Sequence, residues 1–359
     1  MRRSLFAGSI ALLLGSTAAY ADCVQTGLDV TCTGIDADGF GDGSGATDDL
    51  TITVKSGATV EGGATGRAFE VDDKTSITVE AGASVMSQAN EGIEGDNDIT
   101  INNAGVIEAF DDAIQVNDGA MIVNSGRIEN IGDNVDPQDA IDIDSGTITN
   151  TATGIIRSTE DAAIDVDGGE KGDVTVNNAG LIQGTIAVLK DPSNEAGQLV
   201  YNTGSVIGTS GVALDLGEGS DLYRHSSGAI LIGSALLGNG DDLFEMFAVE
   251  GTGRFGGTGA VMDGGVGTDL FDFGSLDIMS ALSASFDGLE LLLNFGTLDG
   301  ELEVLLTNWE TVRFRDFSGD QAAVAAAVNS PAVVPLPATM WMLGAGLGLL
   351  GAASRRRRA

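Results

Sequence analysis

The chain has 359 residues and a formal net charge of −36, because 53 acidic residues are set against 17 basic ones. Such a negative surface repels nucleic acid and anionic membranes, so neither is an expected partner of the main body of the chain. The excess of carboxylates suits simple solubility or a calcium-containing exterior. Glycine is abundant at 53 residues and aromatic residues make up 5% of the chain, so internal repeats are sought first.

The first 21 residues are predicted to be a secretory signal peptide. Arg2-Arg3 forms a charged start, residues 5–14 give a short apolar run, and Ala19-Tyr20-Ala21 has small residues where signal peptidase reads them. The expected cleavage therefore precedes Asp22. An uncleaved anchor is the alternative, although the apolar run is short for a membrane span.

Residues 22–49 are predicted to form an N-terminal cap, with a loose turn region over 33–48. Cys23 and Cys32 are the two cysteines of the chain. An exported chain meets an oxidising compartment, so these residues are predicted to form a small disulfide loop, with two free thiols as the alternative. A metal site is not expected here, because the single histidine, His225, is distant in sequence.

Residues 50–236 contain an internal repeat. A small residue, a glycine, any residue and an apolar residue recur every 21 to 28 positions, with the glycine at Gly82, Gly105, Gly126, Gly154, Gly180, Gly204 and Gly228. A second phrase, such as Asp112-Ala113-Ile114 or Asp139-Ala140-Ile141, recurs in step with the first. Each unit is therefore predicted to hold three short strands with side chains alternating inward and outward.

This period predicts a right-handed parallel β-helix, because one coil cannot bury its apolar face alone and stacked coils share a core. A leucine-rich solenoid has a similar period, but its Leu-x-x-Leu-x-Leu spacing is absent. Asparagines near the repeated glycine are predicted to stack as a ladder of amides; they are Asn102, Asn103, Asn124, Asn150, Asn177, Asn178 and Asn202. The predicted fold class is all-β, a solenoid with a β-rich C-terminal cap and one C-terminal transmembrane helix.

The Asn-x-Gly and Asp-Ala-Ile coils of residues 50–235 resemble those of autotransporter-like exported bacterial β-helix proteins. The resemblance implies a passive extracellular rod, often in adhesion or matrix. The chain departs from a true autotransporter, because the segment after residue 320 has no room for a C-terminal membrane barrel.

Residues 237–317 are predicted to form C-terminal β coils and a cap that covers the open strand edges. Gly264-Gly265-Val266-Gly267-Thr268-Asp269 matches the calcium nonapeptide pattern Gly-Gly-x-Gly-x-Asp, and Gly238-Asn239-Gly240-Asp241-Asp242 matches most of it. Glycines permit the tight turn, and carbonyl and aspartate oxygens suit calcium. Asp242, Asp269, Gly240 and Gly267 are therefore candidate calcium-site residues, with ordinary acidic turns as the alternative. No other cofactor is expected.

Residues 318–333 are rich in alanine and are predicted to be a linker. Residues 336–353 are apolar and rich in glycine, and as a helix they cover about 27 Å, just enough to cross a membrane. Four arginines follow, and a basic cluster beside an apolar helix stays cytoplasmic, so the body faces away from the cytoplasm. They are Arg355, Arg356, Arg357 and Arg358.

The segment 334–359 combines Val334-Pro335-Leu336-Pro337-Ala338, an apolar helix and the arginine tail. This order resembles the VPLPA-type C-terminal sorting signals related to PEP-CTERM. The resemblance implies a Gram-negative source, recognition by an exosortase-like membrane enzyme, and cleavage near the motif with release or attachment outside the cell. Signal peptidase and this enzyme would be the partners during export. A plain C-terminal membrane anchor is the alternative.

Catalysis is not expected from the sequence. Many aspartates recur in register with the repeat, which favours a solvated outer face over a catalytic cluster; they are Asp111, Asp112, Asp139, Asp142, Asp144, Asp161, Asp165 and Asp167. The sequence therefore predicts a structural or interaction protein of the cell surface or extracellular matrix, of adhesion or biofilm type, with surface polysaccharide or other envelope proteins as candidate partners. The alternative is a polysaccharide lyase or hydrolase on the same scaffold, which requires several acids and one base to converge in one groove.

Overall fold

The computed structural model describes residues 22–41, 47–63, 66–132, 137–167, 172–247, 255–256, 259–297 and 300–330. The predicted signal peptide, sorting motif and transmembrane helix lie outside these residues. No helix within the described ranges is long and apolar enough to cross a membrane.

Short strands make up almost all of the regular structure. The first half contains β1 (Cys23–Thr26), β2 (Asp29–Cys32), β3 (Ile35–Asp36), β4 (Phe40–Gly41), β5 (Thr51–Val54), β6 (Thr59–Gly62), β7 (Phe69–Val71), β8 (Ser76–Val79), β9 (Ser84–Ser87), β10 (Ile93–Gly95), β11 (Thr100–Asn103), β12 (Val106–Ala109), β13 (Ile114–Val116), β14 (Ala120–Asn124), β15 (Arg127–Asn130), β16 (Ile141–Ile143), β17 (Gly146–Asn150) and β18 (Ile155–Ser158).

The second half continues the same pattern and ends in a helix. It contains β19 (Ile164–Val166), β20 (Val174–Asn178), β21 (Leu181–Gly184), β22 (Val188–Lys190), β23 (Gln198–Asn202), β24 (Ser205–Asp215), β25 (Leu222–His225), β26 (Ile230–Leu236), β27 (Leu243–Met246), β28 (Phe255–Gly256), β29 (Val261–Asp263), β30 (Leu270–Asp272), a 3-10 helix (Ile278–Ser280), β31 (Ala281–Phe286), β32 (Glu290–Thr297), β33 (Gly300–Thr307), β34 (Thr311–Arg313), β35 (Ser318–Gly319) and α1 (Gln321–Val328).

The strands stack into a parallel β-solenoid of about nine turns, which confirms the predicted fold class. Face A is one 14-stranded sheet that runs through β2, β5, β8, β11, β14, β17, β20, β23, β25, β27, β30 and β34. Each later coil adds one strand to face B, such as β12 or β15, and one to face C, such as β13 or β16. The long strands β24 and β26 pass through faces B and C, which therefore belong to a single sheet.

The core is a column of aliphatic side chains from all three faces. On face A, Ile101, Ile122, Ile148 and Val176 are register neighbours, and all four are buried. Burying one such side chain stabilises the fold by about 1.5–3 kcal/mol. The alternation predicted from the sequence places these residues inward because successive side chains of a strand point to opposite faces.

The repeated glycine lies at the corner between faces A and B. A Cβ atom on Gly126 would lie 2.1 Å from the carbonyl oxygen of Gly105 in the preceding coil. No side chain fits at this separation, so the glycine is required by the close approach of two coils.

The solenoid begins earlier than the predicted boundary at residue 50. Strand β2 pairs in parallel with β5, and β3 and β4 pair with β6 and β7. Residues 33–41 of the predicted loose turn region therefore contain two strands of the first coil. Just before them, Val30 and Cys32 point inward as their counterparts do in later coils. Only β1 turns back as an antiparallel partner of β2, and a disulfide joins Cys23 to Cys32 across this hairpin, as predicted.

The C-terminal end is closed by an antiparallel meander, β31–β32–β33, and by α1. The linker prediction for 318–333 is wrong over residues 318–330. Asp320 caps α1 by accepting the Ala323 N–H at 2.7 Å, and Val324, Ala325 and Val328 are buried in the cap. The alanine-rich composition is thus that of a packed helix, because alanine favours helix and needs little space.

Candidate functional site

A column of buried asparagine side chains fills the corner between faces A and B. Each amide donates to the side-chain oxygen of the next residue at 2.9–3.0 Å, through Asn103, Asn124, Asn150, Asn178 and Asn202. The second amide hydrogen donates to a face-B carbonyl, as from Asn150 to Leu181 at 3.0 Å. All five side chains are 2% exposed or less. The amide ladder is therefore confirmed for these five residues, and each amide is bonded along the rod.

Asn102 and Asn177 do not belong to this amide ladder. They follow inward residues of β11 and β20, so they lie on the outer surface of face A. The sequence grouped them with the ladder because two asparagines are adjacent at each site, and strand alternation allows only one of each pair to point inward.

The amide ladder ends at β25, where the buried residues become aromatic. Asn202 donates to the Tyr223 hydroxyl at 3.1 Å, and this hydroxyl lies 3.2 Å from Nδ1 of His225. In the next coils Phe244 and Phe271 stack with ring centroids 4.5 Å apart. From here the core is filled by rings, and the buried polar column lies at a different corner.

Three turns of the pattern Gly-x-Gly-x-Asp stack at the corner between faces C and A. They are residues 217–221, 238–242 and 265–269. Glu218 pairs in parallel with Asn239, and Asn239 with Val266, so each turn lies directly on the one before it. We call this stack the turn column.

The carboxylates of the turn column bond from coil to coil. The backbone N–H groups of Gln198, Asp221 and Asp242 donate to Oδ1 of the aspartate in the following coil, at 2.5, 2.7 and 2.9 Å. The N–H of Asp269 donates to Oε2 of Glu310 at 2.8 Å. The column therefore supplies each turn with an acceptor from the next turn, which satisfies backbone donors that no strand partner reaches.

The other oxygen of each aspartate is buried without a hydrogen-bond partner among the described residues. This holds for Oδ2 of Asp221, Asp242 and Asp269, whose side chains are 2%, 2% and 1% exposed. Burial raises the pKa of these carboxyls to about 8, about 6 and about 7, in chain order. Each aspartate of the column is therefore held in a place that disfavours a lone negative charge.

Gly240 and Gly267 keep neighbouring turns in close contact. A Cβ atom on Gly240 would lie 1.6 Å from the carbonyl oxygen of Gly219, and one on Gly267 would lie 1.5 Å from that of Gly240. Gly240 also has a φ of +146°. Both glycines are thus required by the stack itself, and each brings a carbonyl oxygen of one turn against the next.

Lys190 lies at the start of the turn column and is 2% exposed. Its Nζ donates to the carbonyl oxygen of Ala196 at 2.6 Å and to that of Glu218. Burial lowers the pKa of this ammonium, and the carboxylate of Asp221 opposes that shift. Lys190 is thus a buried cation held by turn carbonyls beside the first aspartate of the column.

The sequence analysis identified two of the three turns. It missed the first turn, with Asp221, and the buried ammonium of Lys190. Asp242, Asp269, Gly240 and Gly267 come together in the structure as candidate residues of one column. The turn at 217–221 has the same Gly-x-Gly-x-Asp-Leu spacing and could have been found by aligning it with the other two. Lys190 has no such signal, because it stands where the other coils place an apolar residue.

Several repeat-locked aspartates gather at the corner between faces B and C, which we call the acid corner. The prediction of a solvated outer face is wrong for Asp112 and Asp144, which are buried. Asp112 accepts the N–H of Asp139 at 2.8 Å, and Asp139 accepts the N–H of Ala162 at 2.7 Å. Asp142 and Asp165 are register neighbours on β16 and β19. Four of the repeat-locked aspartates are therefore brought close together over successive coils.

The acid corner is electrostatically strained. Burial first, and neighbouring carboxylates second, raise the pKa of Asp139 to about 9 and that of Asp165 to about 7. Burial raises the pKa of Asp112 to about 8 and that of Asp142 to about 6. Perturbed carboxyls of this kind occur at catalytic sites and in structural networks alike.

The nearby arginines on face B are engaged with glutamates. Arg127 pairs with Glu108 and with Glu129, the latter at 2.6 Å, and Arg157 Nε pairs with Glu129 at 2.6 Å. The Glu129 side chain is 2% exposed. The two arginines are therefore paired with glutamates of face B and do not supply a free base to the acid corner.

The outer surface of face A is uncharged from β5 to β23. Its outward residues are Thr51, Thr53, Ser76, Thr78, Thr100, Asn102, Met121, Val123, Thr147, Thr149, Thr175, Asn177, Leu199 and Tyr201. Faces B and C carry charge at outward positions of the same coils, at Glu61, Glu70, Glu94, Glu108, Glu129, Asp142, Arg157 and Asp165. Charge is therefore segregated by face.

One group of three carboxylates lies within 4.8 Å in the described ranges, and it comprises Asp48, Asp72 and Asp73 near the first coils. Asp48 is exposed, and Oδ1 of Asp73 already accepts the backbone and side-chain N–H groups of Asn97 at 2.9 and 3.0 Å. These three carboxylates therefore belong to an acidic turn near the surface, in which Asp72 and Asp73 are half-buried.

Residues 333–358 match the PEP-CTERM protein-sorting motif. Exosortase-like processing enzymes recognise this motif, so the chain is an exported protein of the cell envelope or surface built on a β-solenoid. No curated protein and no solved structure matches the chain.

Proposed function

We propose that the mature protein is a non-catalytic surface rod of adhesion or biofilm type that binds neutral polysaccharide through the outer surface of face A. The observation that carries this proposal is the absence of charge along that surface from β5 to β23, in a chain with a net charge of −36. A random distribution of 53 acidic residues over the 359 positions would place about two of them at these 14 outward positions.

The chemistry of this surface fits a neutral, hydroxyl-rich polymer. Threonine and serine hydroxyls both donate and accept, as sugar hydroxyls do, and the parallel strands repeat them about every 4.8 Å along the rod. Met121 adds apolar area for the carbon–hydrogen faces of sugar rings. The ring of Tyr201 is covered by the guanidinium of Arg224, which lies 5.2 Å from the ring centroid at the end of this surface. The acidic faces B and C repel acidic polymers, which favours a neutral ligand.

The two ends of the chain fit the same function. A signal peptide and a sorting motif would carry the rod out of the cell, with passage through the inner membrane before processing. The VPLPA form of the motif, with Val334 to Ala338 ahead of the arginine tail, would place cleavage between the rod and the helix. The body would then be released or attached outside the cell.

The proposal is tested by measuring retention of the full-length protein on an immobilised neutral glucan and, separately, on an immobilised acidic uronan. We expect retention on the glucan only, and at least about tenfold weaker retention when Thr78→Glu and Thr149→Glu place charges on face A. Ser84→Glu is the matched control, because it adds the same charge at an outward position of face B. Equal retention of both variants, or retention on the uronan alone, would refute the proposal.

A polysaccharide-cleaving site at the acid corner is the second candidate. It is favoured by the convergence of Asp112, Asp139, Asp142 and Asp165 with raised pKa values, since glycoside hydrolysis uses one protonated and one ionised carboxyl. Release of reducing ends from neutral and acidic polysaccharides tests it. Activity that falls by at least about a hundredfold in Asp139→Asn and in Asp165→Asn would establish the enzyme and overturn the non-catalytic proposal.

A further inference from the structure

We propose that a hard divalent cation of the calcium class binds in the turn column between the turns of Asp242 and Asp269, and that Lys190 is the built-in counter-charge of the first turn, at Asp221. The proposal is independent of the polysaccharide ligand, because the turn column and face A do not share a residue.

The first argument is the balance of buried charge. Asp221, Asp242 and Asp269 are three carboxylates with at most 2% exposure. Lys190 is the one lysine buried to the same degree among the residues that the structure describes. Lys190 offsets one carboxylate. One divalent cation would offset the remaining two, which otherwise lie in a region that penalises unpaired charge.

The second argument is that the column already holds a cation in the equivalent place one coil earlier. The ammonium of Lys190 is bound by the carbonyl oxygens of Ala196 and Glu218. The register of β23, β25, β27 and β30 places Gly219 and Gly240 at the position of Ala196 in the following coils. A carbonyl oxygen that binds an ammonium can also bind a hard metal ion.

The later coils offer these carbonyls without a lysine. By continuation of the face-C register, Lys190 is followed by Leu216 and then by Leu237, and both leucines are fully buried. No lysine therefore accompanies the second and third aspartates at this register position, and Oδ2 of Asp242 and of Asp269 is left without a partner among the described residues.

The ligand chemistry selects the class of cation. All of the candidate donors are oxygens, from aspartates and from glycine carbonyls, and no histidine or thiolate belongs to the column. Such sets favour calcium over zinc or copper. The three aspartates do not form a group within 4.8 Å in the described ranges, so an ion would take two carboxylates from neighbouring turns and complete its shell with carbonyl oxygens and water.

Calcium titration of the full-length protein by calorimetry, with thermal melting in parallel, tests the site. We expect one ion to bind with a Kd of about 10⁻⁵–10⁻³ M, as in sensor and extracellular sites, and the melting temperature to rise with calcium. Asp242→Asn and Asp269→Asn should each weaken binding by at least about tenfold, because each removes one charged ligand. Both variants keep an oxygen for the backbone N–H that each aspartate accepts.

Asp241→Asn is the matched control, since it removes an exposed charge from the adjacent residue of the same turn. It should leave the affinity within about twofold. A wild-type protein that takes up no calcium would overturn the proposal, and so would uptake that is equal in all variants, which would place the ion elsewhere, such as at Asp48, Asp72 and Asp73.

Terbium luminescence provides a readout that does not depend on the folding of the aspartate variants. Trp309 lies against Gly264, and its neighbour Glu310 caps Asp269. Terbium bound in the column should therefore be sensitised by this ring, and Trp309→Phe should abolish most of the emission. Emission that survives this substitution, or that is not displaced by calcium, would contradict a site in the turn column.

Discussion

The coils before β25 and those from β25 onward share one backbone stack but bury different polar columns. The earlier coils hold the amide ladder, in which each side chain both donates and accepts. The later coils hold the turn column, in which carboxylates only accept. An amide column is therefore complete at any length, whereas a carboxylate column accumulates charge with each turn and requires cations to balance it.

Removal of the buried ammonium is expected to have the largest effect on this contrast. Lys190→Met leaves Asp221 buried without its counter-charge, so we expect a loss of about 3–5 kcal/mol in the free energy of unfolding. Urea denaturation in chelator at neutral pH measures it. The double variant Lys190→Met, Asp221→Asn should recover at least half of the loss, and a double variant no better than the single one would show that Lys190 acts through packing alone.

Interruption of the amide ladder is expected to lower the free energy of unfolding by a somewhat smaller amount. Asn150→Ala leaves one amide hydrogen of Asn124 and the carbonyl of Leu181 without partners, so we expect a loss of about 2–4 kcal/mol in the free energy of unfolding. Hydrogen exchange of the amides in β14, β17 and β20 would locate it. Asn177→Ala is the control on the outer surface, and equal losses in the two variants would mean that the ladder contributes nothing of its own.

The acid corner makes the stability of the earlier coils depend on pH, because burial raises the pKa of its carboxyls. The pKa of Asp139 is raised from 3.8 to about 9 in the folded protein, so the folded state binds a proton that the unfolded state releases between these values. Stability is then greatest at low pH and falls as the pH rises toward 9. The Asp139 carboxyl faces the carboxylates of Asp112, Asp161 and Asp165. Because Asp139→Asn removes the titrating group, it should reduce the loss of stability with rising pH and raise the melting temperature at pH 8. A melting profile unchanged between pH 5 and pH 8 would contradict it.

The smallest effect is expected at the outer surface of face A. Thr149→Glu changes the residue next to Asn150 in the chain but points to solvent, so the free energy of unfolding should change by less than about 0.5 kcal/mol. Thermal melting of Thr149→Glu and of Asn150→Ala compares an outward-facing with an inward-facing residue of the same strand, β17. A loss as large as that of Asn150→Ala would mean that face A is covered in the folded protein.

Much of the rod could be predicted from the sequence because the same residue types recur at the same structural position in each coil. The repeated glycine marks the tight corner, alternation marks the strands, and asparagines mark the ladder. The first coil was missed because β3 and β4 are two residues each, too short to show alternation. Helix α1 was missed because its alanines gave no amphipathic pattern, although Asp320 ahead of Gln321 is a usable N-cap signal.

The candidate site was only partly predictable, for a physical reason. A Gly-x-Gly-x-Asp turn is a local pattern, so Asp242 and Asp269 could be found from the sequence. The environment of these residues depends on what lies one coil away. Neither the burial of Asp221 nor the ammonium of Lys190 beside it follows from spacing, because both depend on contacts between neighbouring coils.

The self-contained chemistry of the amide ladder has a consequence for how such rods change in length. A whole coil between Asn124 and Asn178 can be deleted or duplicated, and the neighbouring amides still meet with the same geometry. The same edit in the turn column would alter the number of buried charges and would require a matching cation. The earlier coils are therefore the interchangeable modules of the molecule, and the later coils with their cap form its fixed terminus.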